Sequence, residues 1–191
     1  AAVLGDGNAV KFVPLSAENR FDALTAGRVD VLWRNTSWTM ERDISGQMSF
    51  AGINYYDGQG FLARRSLNLN SAAELGGARI CVQAGSTSAL NVEDYFRSRG
   101  IEYRAVMAPT EEGARDAYAR EDCDALTGDI SALAAARTTL PNAQQHAMLP
   151  DVISKEPLGP VVRRGDEQWE AIVRWTLDAV ILAEELGVTK A

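Results

Sequence analysis

Short apolar runs alternate with helix-period stretches along most of this chain. Val10–Val13 reads as a strand. Ser16 precedes a helix through Phe21 and Leu24 that stops at Gly27, and Val29–Trp33 is the next strand. A polar run, Asn35-Thr36-Ser37, leads into a short helix near Thr39–Ser45 with Thr39 as its N-cap. Phe50–Tyr56 is irregular, Asp57-Gly58 marks a turn, and Gly60–Arg64 is a strand. Ser71 to Glu74 matches a capping box. Strands at Ala78–Gln83, Tyr103–Met107, Asp124–Thr127 and His146–Leu149 are then separated by helices at Leu90–Arg99, from Thr110 to about Arg120, and past Asp129 through Ala136. Leu158–Arg163 is a last strand. Asp166 caps an amphipathic helix whose apolar positions, Trp169, Ile172, Val173, Thr176, Leu177, Val180 and Ile181, follow the 3.6 period up to Gly187.

Strands alternating with helices predict an α/β protein with mainly parallel sheets. The block from about Ser66 to Asp151 holds a complete β-α-β-α-β-α-β set, so the pattern predicts two lobes. The first takes residues 1–62 and 156–191, the second 63–155, with crossings near 62–65 and 152–158. Two strand-like crossings form a hinge, a common arrangement for closure around a ligand. Ala1–Gly5 reads as the last turn of a helix, which suggests a piece of a longer polypeptide.

Composition narrows the function. The chain has 191 residues, 46% hydrophobic and 24% charged, with a net charge of -7 and no basic block. This argues against nucleic acid or an anionic membrane as partner. The single histidine, His146, lies in a polar loop and reads as a surface residue. With no C-x-x-C or H-x-x-x-H spacing, neither a metal nor another cofactor is expected. Cys81 and Cys123 each open a strand-like run. They are placed either for a bridge or as two buried thiols, and the residues leave both open.

Open α/β sheets take ligands beyond the carboxyl ends of their strands, and three strand ends here carry suitable groups. Asn35-Thr36-Ser37 with Arg42 joins small donors, a helix start and a planar guanidinium fork, a combination suited to a carboxylate. Gly85-Ser86-Thr87 offers hydroxyls and backbone N–H groups at a second helix start. Asp129 offers a carboxylate to an ammonium group. Alone, the second is an ordinary helix start and the third an ordinary cap. Together they suit the two charges of an α-amino acid. Trp33, Trp38, Tyr55 and Tyr56 read as core residues or as the lining of a side-chain pocket.

The order L-x-A-G-R-V-D (Leu24–Asp30), N-T-S-W-T-M-E-R (Asn35–Arg42), F-A-G-I-N-Y-Y-D-G-Q-G-F (Phe50–Phe61), L-G-G-A-R-I-C-V-Q-A-G-S-T (Leu75–Thr87), C-D-A-L-T-G-D (Cys123–Asp129) and S-K-E-P-L-G-P-V-V-R (Ser154–Arg163) resembles the bacterial extracellular solute-binding proteins of family 3. These are the periplasmic receptors of amino-acid ABC importers, and the N-T-S-W-T run resembles their general L-amino-acid branch. The resemblance implies a two-lobed periplasmic-binding-protein-like fold of type II, no catalysis, a periplasmic location, a small L-amino acid as ligand and a membrane permease as partner. It implies that Arg42 and Ser37 bind the ligand carboxylate and that the Asn35 carbonyl meets its ammonium. Thr87, with Ser86 beside it, becomes the second-lobe carboxylate contact, Asp129 the ammonium-binding group, and Cys81–Cys123 a disulfide. A full family member starts earlier, so the first lobe is expected to be incomplete, and either looser or covered by self-association. The alternatives are a ligand-sensing domain or a small-molecule lyase or dehydratase on the same fold.

Overall fold

Sixteen helices and strands carry the architecture, which a computed structural model describes for residues 3–189. In chain order they are α1 (Arg20–Thr25), β1 (Val31–Leu32), α2 (Met40–Ile44), β2 (Met48–Phe50), β3 (Tyr55–Asp57), β4 (Gln59–Arg64), β5 (Arg79–Gln83) and α3 (Thr87–Arg97). There follow β6 (Arg104–Ala108), α4 (Glu111–Ala119), β7 (Ala125–Asp129), α5 (Ile130–Thr139), β8 (His146–Met148), β9 (Glu156–Leu158), β10 (Val161–Arg163) and α6 (Glu167–Glu185). Short 3₁₀ turns occupy Arg65–Leu67, Ala72–Leu75 and Ala143–Gln145. Residues 3–5 form a turn, and the first two residues of the helix end read at Ala1–Gly5 lie outside the described residues. Val10–Val13 is not a strand; its apolar side chains face solvent, Phe12 at 89% exposure, so nothing there rewards pairing.

The chain divides into two units. Unit 1 comprises Ala1–Leu15, Asn19–Tyr56 and Pro157–Ala191; unit 2 comprises Ser16–Glu18 and Asp57–Glu156. The chain passes between them within β3 and β9, which form a two-stranded sheet. β4, which the pattern places at a crossing, lies instead inside the unit 2 sheet, between β7 and β8.

The unit 2 sheet has the order β6-β5-β7-β4-β8. β5 pairs in parallel with β6 and β7, whereas β4 pairs antiparallel with β7 and β8. The α/β class expected from the sequence is present, but the sheet is mixed. β4 enters against the direction of β7, in the register Gln59↔Asp129 to Ala63↔Ala125. Strand alternation divides its side chains between two cores. Phe61, Ala63, Ile80 and Ala125 pack with Val92 and Phe96 of α3, while Leu62, Cys81 and Leu126 pack with Tyr118 and Leu133. A sheet covered on both faces explains why β4 reads as a continuous buried run. Cys81 and Cys123 form a disulfide, with Cα atoms 5.7 Å apart and both residues fully buried.

The unit 1 sheet has the order β1-β10-β2 and is antiparallel throughout, another departure from the parallel expectation. Val161 packs with Leu24, Leu32, Met48 and Phe50, while its neighbour Val162 packs with Ala51 and Val173. α6 buries Val173 and Leu177, each contributing about 1.5–3 kcal/mol. The run read as one strand from Leu158 to Arg163 is cut at Gly159-Pro160 into β9 and β10. The reason is a backbone crossing. A Cβ at Gly159 would lie 1.9 Å from the Gly52 carbonyl oxygen.

Candidate functional site

Within unit 1, the Asn35–Ser37 run is pinned by backbone contacts. Gly159 N–H donates to the Thr36 carbonyl (3.1 Å), Trp38 N–H donates to the Pro157 carbonyl (2.8 Å), and Ser37 bridges Leu158. Thr36 and Ser37 are buried. Thr39 caps α2 as expected, accepting from Arg42 N–H at 3.3 Å. α2 has only five residues, so its dipole offers an anion little; what the stretch supplies is the arginine. Arg42 Nη1 donates to the Ser37 carbonyl at 2.8 Å, and the guanidinium carbon lies 5.1 Å from the Phe21 ring centroid. Those contacts fix the plane of the fork beside Ser37.

A second arginine, missed in the sequence, stands beside the same run. Arg20, the first residue of α1, is only 3% exposed. Its Nη1 donates to the Asn35 carbonyl (3.1 Å), and its guanidinium carbon lies 4.8 Å from the same Phe21 ring. The Asn35 carbonyl, expected to meet an ammonium, thus already accepts one N–H.

In unit 2, Ser86 is the N-cap of α3. Its hydroxyl accepts from Ala89 N–H (3.3 Å) and donates to the Gln83 carbonyl (2.6 Å). The Thr87 hydroxyl donates to Glu156 (3.2 Å). Both hydroxyls therefore have protein partners, and what this turn presents to an anion is its backbone N–H groups at the start of an eleven-residue helix. Glu156 is a residue that the sequence places only within the crossing near 152–158. It is 3% exposed and also accepts from Asn91 Nδ2 (2.7 Å) and Ser154 Oγ (2.6 Å).

Asp129 occupies the N-cap position of α5, yet its side chain makes no cap bond. Capping falls to Asp57, which accepts from Ser131 N–H (3.3 Å), from the Ser131 hydroxyl and from Gly58 N–H (2.8 Å). Asp129 is 9% exposed and lies opposite Gln59 in the β4–β7 register. Gln59, fully buried, donates to the Ser88 carbonyl (3.0 Å) and to Thr127 Oγ1 (2.9 Å), tying the first turn of α3 to the same sheet end. Ser86, Thr87 and Asp129 are thus gathered at one end of the unit 2 sheet, and Asn35, Ser37 and Arg42 on one loop of unit 1.

Other expectations fare differently. His146 is buried, not at the surface: its Nδ1 lies 2.7 Å from the Tyr118 hydroxyl and its Nε2 3.3 Å from the Pro141 carbonyl. A carbonyl can only accept, so Nε2 carries the proton and Nδ1 accepts from Tyr118. Of the four aromatics, Trp38 stacks on Phe50 in the core, with centroids 5.2 Å apart, while Trp33, Tyr55 and Tyr56 are exposed. Among the described residues no cluster of ligating side chains could hold a metal ion, and no helix is long and apolar enough to cross a membrane.

Comparison with known proteins places the chain. A glutamate/glutamine/aspartate/asparagine-binding protein, BztA of Rhodobacter capsulatus, is 51% identical over all 191 residues, which span 56% of that protein. The general L-amino acid-binding periplasmic protein AapJ of Rhizobium johnstonii is 49% identical over the same residues, again 56% of its length. The chain therefore spans little more than half of the curated relatives it matches. A periplasmic binding protein of an ABC transporter from Brucella ovis, solved with glutathione bound, superposes with a TM-score of 0.91 at 52% identity, covering 97% of this chain and 58% of that one. The family model matches residues 1–188, and the chain belongs to the bacterial extracellular solute-binding proteins, family 3.

Proposed function

We propose that this chain is the ligand-binding part of an extracytoplasmic receptor for an amino-acid ABC importer, acting in the periplasm and passing its ligand to a membrane permease. Unit 1 takes the α-carboxylate on Arg42 and Ser37. Unit 2 adds N–H groups around Ser86 and Thr87 and takes the α-ammonium on Asp129. The units serve as the two lobes, and the crossings at Tyr56–Asp57 and Glu156–Pro157 serve as the hinge. The observation that carries the reading is the Arg42 fork, held beside Ser37 by a backbone carbonyl and the Phe21 ring. The relatives' names support it, one for L-amino acids in general and one for glutamate, glutamine, aspartate and asparagine. A lyase would need a proton-transferring group, and His146 is built into the unit 2 core. Self-association through unit 1 has no support in the fold or in the relatives.

Thermal unfolding with a panel of L-amino acids tests the proposal, since a ligand that binds only the folded state raises the midpoint. Several L-amino acids should raise it, and their α-amides should not. Arg42→Ala should weaken binding by about 10–100-fold, the worth of one or two charge-assisted hydrogen bonds. A panel that leaves the midpoint unmoved, or an Arg42→Ala variant that binds like wild type, would sink it.

A further inference from the structure

We infer that Gln59 is a further ligand-recognising group in unit 2, and that its side-chain oxygen accepts a hydrogen bond from the ligand's α-ammonium beside Asp129. The inference rests on the α-amino-acid reading above and deepens it. It makes Gln59 one of the groups by which the chain tells an α-amino acid from the α-hydroxy acid with the same side chain.

The hydrogen-bond pattern is the first ground. Gln59 is fully buried. Its Nε2 donates to the Ser88 carbonyl (3.0 Å) and to Thr127 Oγ1 (2.9 Å). A carbonyl can only accept, so the amide nitrogen and not the oxygen must face Ser88. Thr127 commits its own proton to the Gly60 carbonyl (2.8 Å), so it too accepts from Gln59. Both N–H groups of the amide are therefore engaged and its orientation is fixed. Its Oε1 meets no donor among the described residues. A buried acceptor left in that state costs about 1–3 kcal/mol. A donor carried in by a ligand removes the cost, and the gain appears only on binding.

Placement is the second ground. Gln59 lies opposite Asp129 in the antiparallel β4–β7 register. Side chains directly opposite stand on one face of a sheet, with Cβ atoms about 4.5–5.5 Å apart. That face is the one α3 covers. Phe61 and Ala63, further along β4 on the same side, pack with Val92 and Phe96, and Ser88 lies in the first turn of the helix. The Gln59 backbone is held as well: its N–H donates to Ser154 Oγ (3.3 Å) and its carbonyl accepts from Ile153 N–H (2.9 Å). An amide oxygen and a carboxylate thus share one end of one sheet face, and both can only accept. An ammonium brings three N–H donors and can serve the two together. A hydroxyl brings one donor, so it serves one of them and turns a lone pair towards the other.

The test is isothermal titration of the full chain with two ligand pairs, L-glutamate against (S)-2-hydroxyglutarate and L-leucine against (S)-2-hydroxyisocaproate. The members of a pair differ only at the α-ammonium. Wild type should prefer the amino acid by about 100-fold, the worth of two charge-assisted hydrogen bonds. Gln59→Met keeps the side-chain length and removes the acceptor. It should lower that preference by about tenfold while affinity for the hydroxy acid stays within about threefold. Thr127→Val removes one partner of Gln59 Nε2 and leaves Oε1 in place, so it should keep the wild-type preference. An unchanged preference in Gln59→Met, or a parallel loss for both members of a pair, overturns the inference and leaves the amino-acid reading standing: Oε1 then holds a water molecule only, or Gln59 only seats α3. A wild-type preference below about tenfold also overturns it, and needs no variant to fold. Should Gln59→Met not fold, the carbon resonance of the Gln59 side-chain carbonyl decides in wild type. A downfield shift with L-glutamate that is absent with (S)-2-hydroxyglutarate is expected, and the same response to both overturns the inference. A wild-type chain that binds none of the four ligands overturns the amino-acid reading, and this inference with it.

Discussion

Gly159→Ala adds one methyl group where unit 1 has no room for it. The new Cβ would stand 1.9 Å from the Gly52 carbonyl oxygen and 3.1 Å from its carbonyl carbon. An ordinary carbon–oxygen contact is about 3.3 Å, so the two backbones must part by about 1.4 Å. Neither side can yield by turning a side chain. The Gly52 backbone is held from both sides: Ala51 N–H donates to the Pro160 carbonyl (3.0 Å), and a Cβ at Gly52 would itself meet Leu177 at 2.9 Å. Moving Gly159 stretches its bond to the Thr36 carbonyl. Overpacking of this kind costs about 1–3 kcal/mol, and two weakened backbone bonds add about 0.5–1.5 kcal/mol each. The expected loss is therefore about 3 kcal/mol or more, roughly 6–12 °C in Tm for a chain of this size. Because Thr36 sits between Asn35 and Ser37, ligand affinity should fall as well. Circular dichroism melts beside Gly128→Ala make the comparison internal, since nothing lies within 4 Å of a Cβ at Gly128. If Gly159→Ala melts with wild type, or if the two alanine variants lose the same amount, the crossing does not constrain the fold as argued.

Two further outcomes are expected. Replacing Cys81 and Cys123 together with alanine should cost unit 2 about 4 kcal/mol on the chain-entropy account, given their separation of 42 residues; urea denaturation reads this, and an unchanged midpoint would refute it. Burial pushes the Tyr118 phenol up to about 12, with nearby Arg64 opposing the rise in part. A raised folded pKa means a contribution to stability that is full below the unfolded value near 10 and lost as the pH climbs through 12, about 2–3 kcal/mol in all. Stability measured across that alkaline window should therefore fall more steeply in wild type than in Tyr118→Phe, where Tyr95 and Tyr103, also raised by burial, still titrate; equal slopes in the two would refute it.

What could be read before the structure was local. Thr39, Ser86, Thr110 and Asp166 each cap the helix that follows them, because a cap is a matter of three or four neighbouring residues. Strand direction was not legible. β4 and β5 are equally apolar, and the antiparallel course of β4 is settled by β7, more than sixty residues away. The same distance hid Glu156, whose partners Thr87 and Asn91 lie on a helix about as far upstream. His146 looked exposed because its sequence neighbours are polar, whereas its environment is set by Tyr118. Arg20 carries no local signal, since nothing near it in the sequence announces that its head turns towards the Asn35 carbonyl.

The order β1-β10-β2 has a kinetic consequence. The middle strand of the unit 1 sheet is made last, more than a hundred residues after its two neighbours. Until Val161–Arg163 leaves the ribosome, β1 and β2 have no partner between them, and their apolar faces wait. Apart from Ser16–Glu18, unit 2 is one continuous run, Asp57–Glu156, complete before β10 appears. It can therefore fold first, and its folding shortens the open loop that β10 must close. The unit that carries Arg42 should be the slow one, with a refolding rate set by a long-range closure, and it is the part of a nascent chain most in need of protection.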